Sequence, residues 1–308
     1  MTNTDLTRVK LWWNAFHLTH CDYAFSVFGK YAYIGNKGAE LSEEHTEAIT
    51  HGIDKLLELH PYVEEVIEEA KPEVLDINFG CPVKKVTCKM AGAGILQDID
   101  RMVKLTDIIV KSTNLPVTVK TRLGWDDNTK YIEDVAERLQ DVGIKALSIH
   151  GRTRKQMYKG EADWTLIGKI KENPRVHIPI FGNGDINSPE KAKLYREKYG
   201  VDGIMIGRAS IGNPWIFREV KHYFETGELL PPPTIKERVA AAKQHLKHSI
   251  EWKGEKLGIL EMRRHYTNYF RGFRNIKPYR MKLVTNFNPD DVFGILNQIE
   301  EDYSGVQI

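Results

Sequence analysis

Residues 117–150 read V-T-V-K-T-R-L-G-W-D-D-N-T-K-Y-I-E-D-V-A-E-R-L-Q-D-V-G-I-K-A-L-S-I-H. A β-branched run at 117–123, a helical pattern at 129–142 and a second short run at 146–150 spell strand, helix, strand. The same alternation extends outward in both directions. Further strands are expected at 74–79, 178–181 and 203–206, and further helices at 95–112, 164–172 and 188–199. The last helix opens on Ser188-Pro189, an N-cap followed by a first-turn proline, and closes near Gly200. Strand starts 25 to 43 residues apart suit right-handed βαβ crossovers and a parallel sheet. The expected class is α/β.

The strand ends carry the chemistry-bearing residues. Gly80-Cys81-Pro82, Gly124-Trp125-Asp126-Asp127, Gly151-Arg152, Gly182-Asn183-Gly184-Asp185 and Gly207-Arg208 each follow a predicted strand. In a TIM barrel these loops form the active face, with phosphate often held after the last two strands. Glycine turns let backbone N–H groups approach an anion, so the terminal Gly-Asn-Gly-Asp and Gly-Arg pair suits a phosphorylated ligand. Cys81 suits three roles: a proton donor, a nucleophile if deprotonated, or a small buried hydrophobe. Lys120, mid-strand, needs an anionic partner if buried. His150 closes a strand at the active face.

The chain has 308 residues, 41% hydrophobic and 28% charged, which excludes collagen-like, disordered and disulfide-scaffold classes. No apolar run approaches the roughly 20 residues that span a bilayer, so no membrane association is expected. The start shows no basic-then-apolar leader pattern and Cys21, Cys81 and Cys88 make no disulfide framework, which together set the expectation of a cytoplasmic protein. His17, His20 and Cys21 lack a second ligand pair, so no metal is expected. Residues 1–100 hold 9 Lys/Arg against 16 Asp/Glu, leaving the remainder strongly basic. Within 263–282 lie seven basic side chains, five aromatics and no acid. That stretch either meets phosphates while its rings stack on bases, or buries its rings and solvates its charges.

Leu229-Leu230-Pro231-Pro232-Pro233 reads as a stiff linker. Thr234 to Glu237 then forms a capping box, and Asn288-Pro289 starts another helix, so three or four helices are expected over 234–308.

Taken together, several blocks resemble the tRNA-dihydrouridine synthases, most of all the bacterial B-type subgroup. They are Asp76-Ile77-Asn78-Phe79-Gly80-Cys81-Pro82, Val119-Lys120-Thr121-Arg122-Leu123-Gly124-Trp125, Ile149-His150-Gly151-Arg152-Thr153, Gly182-Asn183-Gly184-Asp185-Ile186 and Ile206-Gly207-Arg208. The resemblance covers about 62–308 and implies a TIM (β/α)8 barrel followed by a C-terminal α-helical domain. It also implies an FMN enzyme that uses NADPH to reduce the C5–C6 double bond of selected uridines in tRNA. Cys81 would then be catalytic, giving the proton to C5. Lys120, His150, Asn183, Gly184, Asp185, Gly207 and Arg208 would bind the cofactor. Asn78, Arg152, Arg263, Arg264, Arg271 and Arg274 would bind the substrate tRNA. No protein partner is implied.

Residues 1–61 depart from the family. There is no Pro-Met before residue 74 and no Gln before Gln97, both of which the family places against FMN. Eight aromatics fall between Lys10 and Tyr33, with strands expected near 9–18 and 23–34 and a helical pattern at 41–70. The expected organisation is an atypical barrel segment over 1–73, an FMN-binding domain over 74–228 and a helical tRNA-binding domain over 232–308. The alternative is a catalytically impaired tRNA-binding homologue with an incomplete FMN site.

Overall fold

The computed structural model describes residues 31–34, 67 and 72–306. The strand expected near 9–18 lies outside them, as does the helical pattern at 41–70 except for residue 67, which is helical.

Among the described residues six strands form one parallel sheet in chain order: β1 (Tyr31–Ile34), β2 (Val74–Asn78), β3 (Val117–Arg122), β4 (Ala146–His150), β5 (Ile180–Asn183) and β6 (Gly203–Met205). The order β1 to β6 without a crossover past a neighbour is that of a TIM-type (β/α) barrel wall. Strand β1 falls within the span expected near 23–34 and pairs with β2 from Tyr31↔Val74 to Ile34↔Ile77.

Between the strands run α1 (Lys84–Thr87), α2 (Ile99–Lys111), α3 (Ile132–Asp141), α4 (Thr165–Glu172) and α5 (Pro189–Tyr199). Helix α3 buries Ile132, Val135, Ala136 and Leu139, the i, i+3, i+4, i+7 stripe of an amphipathic helix. Ser188 caps α5 by accepting the Lys191 N–H, and Gly200 ends it at φ 63°, a left-handed conformation that favours glycine.

Strand β5 starts and ends two residues later than expected. Gly182 and Asn183 belong to the strand and not to the turn, because the missing side chain at 182 lets Trp164 pack against the backbone. A Cβ there would stand 1.9 Å from the indole. One face of the sheet, with Leu75, Ile77, Val117, Val119, Leu147, Ile149 and Ile180, is apolar and buried. The opposite face is polar and carries the site.

The chain divides into two compact units between Arg208 and Ala209. The second contains α6 (Ile216–Thr226), α7 (Ile235–Lys253), α8 (Glu255–Tyr269), α9 (Lys277–Thr285) and α10 (Pro289–Asp302). Helix α6 was not anticipated. Trp215, at its N-cap, meets Tyr269 edge-on at 6.0 Å, which ties the start of α6 to the helical core. The capping box is formed: Thr234 accepts from Glu237 N–H, and Glu237 accepts in return from Thr234 N–H at 2.8 Å. Asn288 caps α10.

The basic-aromatic stretch resolves into core and surface. Tyr266, Tyr269, Phe270 and Phe273 are buried in the helical unit, whereas Arg271, Arg274 and Lys277 are exposed. These rings pack against Val239, Leu246 and Leu296 and do not face solvent, so base stacking on them is ruled out in this conformation. Among the described residues no helix is long and apolar enough to cross a membrane.

Candidate active site

Strand register assembles the site. Asn78 pairs with Lys120, and two residues further along Arg122 pairs with His150, His150 with Asn183 and Asn183 with Met205. Side chains two residues apart share a face of a strand. Asp76, Asn78, Thr118, Lys120, Arg122, Ser148, His150 and Asn183 therefore share one face at the carboxyl edge, and only Asn78 among them is more than marginally accessible.

Arg122 is fixed by backbone oxygens. Its Nε donates to Gly80 O at 2.7 Å, and Nη1 donates to Thr153 O at 3.2 Å and Met157 O at 2.9 Å. The sequence reading passed over this residue, although its i+2 relation to Lys120 was the signal for it. Asn183 donates through Nδ2 to Met205 O at 2.8 Å, tying β5 to β6.

Arg152 is wholly buried and turned inward. Its guanidinium donates to both Asp185 oxygens, at 3.0 and 2.6 Å, and to Gly160 O at 2.6 Å. It also lies 3.3 Å from His150 Nε2. A guanidinium only donates, so that nitrogen accepts and the His150 proton sits on Nδ1. Burial first, and then the positive charges of Arg122, Lys120, Arg152 and Arg208, push the His150 pKa well below the usual imidazole value. The ring is neutral at pH 7.

Asp185 has a positive φ of 57° and gathers four donors: two from Arg152, the Ala162 N–H at 2.8 Å and Arg208 Nη2 at 2.6 Å. Burial by itself would raise its pKa; the Arg152 hydrogen bond, the Ala162 N–H and Arg208 outweigh it and hold the carboxyl below its ordinary value. Gly184, at φ 125°, lies close to Ala162 and to the His150 ring. Among the described residues nothing lies within 4 Å of where a Cβ at Gly207 would stand, and the Arg208 side chain beside it is 56% exposed.

Cys81 follows β2 and is buried, with its carbonyl accepting the Ala93 N–H at 2.9 Å. Gly92, at φ 52°, packs so closely that a Cβ there would stand 2.9 Å from the Cys81 Cβ. Of the five arginines expected to bind RNA, Arg152 is the one beside the strand ends and the other four lie in the helical unit. Arg271 and Arg274 are exposed, Arg264 meets His265 Nε2 at 3.3 Å, and Arg263 lies over the Phe287 ring at 4.4 Å. Among the described residues no cluster of three His, Cys, Asp or Glu is placed to hold a metal.

A family model described as dihydrouridine synthase matches residues 57–304. Among curated proteins, tRNA-dihydrouridine synthase B of Pseudomonas putida is 43% identical over 70% of this chain and 63% of its own length. The protein of the same name from Pseudomonas aeruginosa is 42% identical over 69% of this chain and 63% of its own length. A probable tRNA-dihydrouridine synthase of Rickettsia conorii is 38% identical over 76% of this chain and 69% of its own length. The chain thus spans a little under two thirds of the two Pseudomonas relatives.

Proposed function

The chain belongs to the dihydrouridine synthase family, and from that premise we propose that it reduces the C5–C6 double bond of specific uridines in tRNA to 5,6-dihydrouridine, with bound FMN and with NADPH as reductant. The observation that carries this reading is the charge of the mouth. Among the described residues Lys120, Arg122, Arg152 and Arg208 all act on His150 at the strand ends, Arg152 from a buried position and Arg208 from an exposed one, against the two carboxyls Asp76 and Asp185. Among the described residues this net positive, partly desolvated group of side chains beside the Gly207-Arg208 turn fits an anionic phosphorylated cofactor.

The residues take distinct parts. Gly184, Gly207 and Arg208 hold the phosphate end. Asp185, already saturated by two arginines and an N–H, positions Arg208 and Arg152 and does not itself meet the phosphate. Lys120 and the neutral His150 contact the ring system, and Asn78 orients the uracil. Bound FMN would supply hydride chemistry at this site, and the Cys81 thiol would hold the proton delivered to C5. Arg152 serves the substrate indirectly, since it is buried against Asp185. Arg271, Arg274 and the less exposed Arg263 and Arg264 supply phosphate contacts from the helical unit, whose contribution is electrostatic because its rings are in the core.

The test is the visible spectrum of the purified protein, with the released chromophore identified, followed by an assay of dihydrouridine in tRNA incubated with NADPH. FMN near one per chain and NADPH-dependent dihydrouridine support the proposal. A colourless, folded protein that still binds tRNA would replace it with the catalytically impaired homologue.

A further inference from the structure

One polar group on the site face has no part in the chemistry so far. Asp76 lies on β2 two residues before Asn78, on the same face, and is 4% exposed. Its register partner on β3 is Thr118, two residues before Lys120. The Thr118 hydroxyl donates to Asp76 Oδ1 at 2.6 Å. One rung of the ladder therefore carries a buried acid and its hydrogen-bond donor, and the next rung carries Asn78 and Lys120. A lone carboxyl inside a barrel wall is costly to bury and needs a physical reason.

We propose that Asp76 is a positioning residue for Lys120: with Thr118 it forms a protonatable unit beneath the lysine and sets how much positive charge the Asn78–Lys120 rung presents to a bound ring system. The inference rests on the functional reading above for its consequence, but not for the coupling itself.

Burial raises the Asp76 pKa to about 7, against the opposing hydrogen bond from Thr118 and the charge of Lys120. Among the described residues Lys120 is the charged group that acts on it. Below that value the acid is neutral and no longer offsets the lysine charge. Above it the carboxylate offsets part of the lysine charge. Coupling is reciprocal, so the carboxylate in turn favours the lysine's protonated form.

The experiment compares the protein with Asp76→Asn and Thr118→Val. In the cofactor-free protein, the Lys120 Cε resonance is followed by 13C NMR through a pH titration. Asp76→Asn should make Lys120 deprotonate at lower pH; an unchanged titration overturns the proposal. In the FMN-loaded protein, the flavin reduction potential is measured at pH 6 and pH 8. Asp76→Asn should raise it at pH 8, with little change at pH 6. An equal shift at both values, or none, would mean the carboxyl only packs.

Thr118→Val removes the donor that favours the carboxylate, so the wild-type pH transition should move upward. This arm carries the sign independently should Asp76→Asn fail to fold, and a stationary transition overturns the proposal. If no flavin binds to any form, the functional reading fails, and the Lys120 titration still decides the coupling.

Discussion

Arg152 and Asp185 meet end-on just past the ends of β4 and β5, Nη1 and Nη2 of the guanidinium on the two carboxylate oxygens at 3.0 and 2.6 Å. The arginine is 1% exposed, so its charge has no solvent to fall back on. Removing one partner of a buried pair typically costs about 3–5 kcal/mol, whereas replacing both by packed apolar groups is often neutral. Asp185→Asn should lower the urea midpoint strongly, and Arg152→Met/Asp185→Asn, which keeps at 185 a residue that tolerates its positive φ, should recover part of the loss. The Asp185 pKa is depressed in the fold, so its stabilisation is present above the unfolded value of 3.8 and is lost as pH falls through the folded one. Unfolding of the wild type against Asp185→Asn at pH 7 and pH 3 checks the sign: the difference should shrink at pH 3.

Two glycines, Gly182 within β5 and Gly207 just past β6, separate folding from cofactor binding. A Cβ at Gly182 would sit 1.9 Å from the Trp164 ring, so Gly182→Ala should cost about 3 kcal/mol or more through overpacking. A Cβ at Gly207 would meet nothing within 4 Å. Gly207→Ala should leave the melting temperature of the cofactor-free protein unchanged while weakening FMN binding, read by quenching of flavin fluorescence. Unchanged FMN affinity would remove Gly207 from the phosphate site.

Cys81 is packed but holds no place in the Arg152–Asp185–Arg208 network. Cys81→Ala should keep FMN at full occupancy and abolish most dihydrouridine formation under NADPH. Undiminished turnover would take the thiol out of the mechanism.

The helical unit packs two histidines against each other, half-buried His245 and buried His265, with ring centroids 4.5 Å apart. Burial, then neighbouring positive charge, pushes His245 down to about 4; burial, then His245 and Arg264, pushes His265 down to about 3. In the unfolded chain both take up a proton near pH 6.5. Their folded form is therefore favoured above that value, and stability falls as pH drops from 6.5 toward 4. Each contributes a slope of about 1.4 kcal/mol per pH unit where only the unfolded state is protonated. Urea midpoints at pH 7, 6 and 5 should show this fall, and His245→Gln should flatten it.

Arg271 and Arg274 project into solvent at the end of α8 and the turn that follows. If each meets one tRNA phosphate, each alanine substitution should reduce the slope of log K against log salt by about one. A slope unchanged in the double variant would place the RNA elsewhere.

Local features were legible from sequence. The strand–helix alternation from 74 onward, the Ser188 and Asn288 caps and the Thr234–Glu237 box all depend on residues within a few positions of one another. The carboxyl-edge placement of Cys81, His150, Asn183 and Arg208 followed from the same alternation, because strand ends and loops are consecutive in the chain.

Only the tertiary structure decided which charges are presented and which are buried. Arg152 and Arg208 look alike as Gly-Arg pairs in sequence, yet one is sealed against Asp185 and the other half exposed. Arg122 enters the site through its pairing with His150, and Asp76 meets Thr118 from 42 residues away. The rings of 266–273 fill a core to which α7, α9 and α10 also contribute side chains. Sequence determines local conformation because backbone preference and capping act over a few residues. Burial, register and the pairing of charges are set by chain segments tens of residues apart, and these turned a row of strand ends into a site.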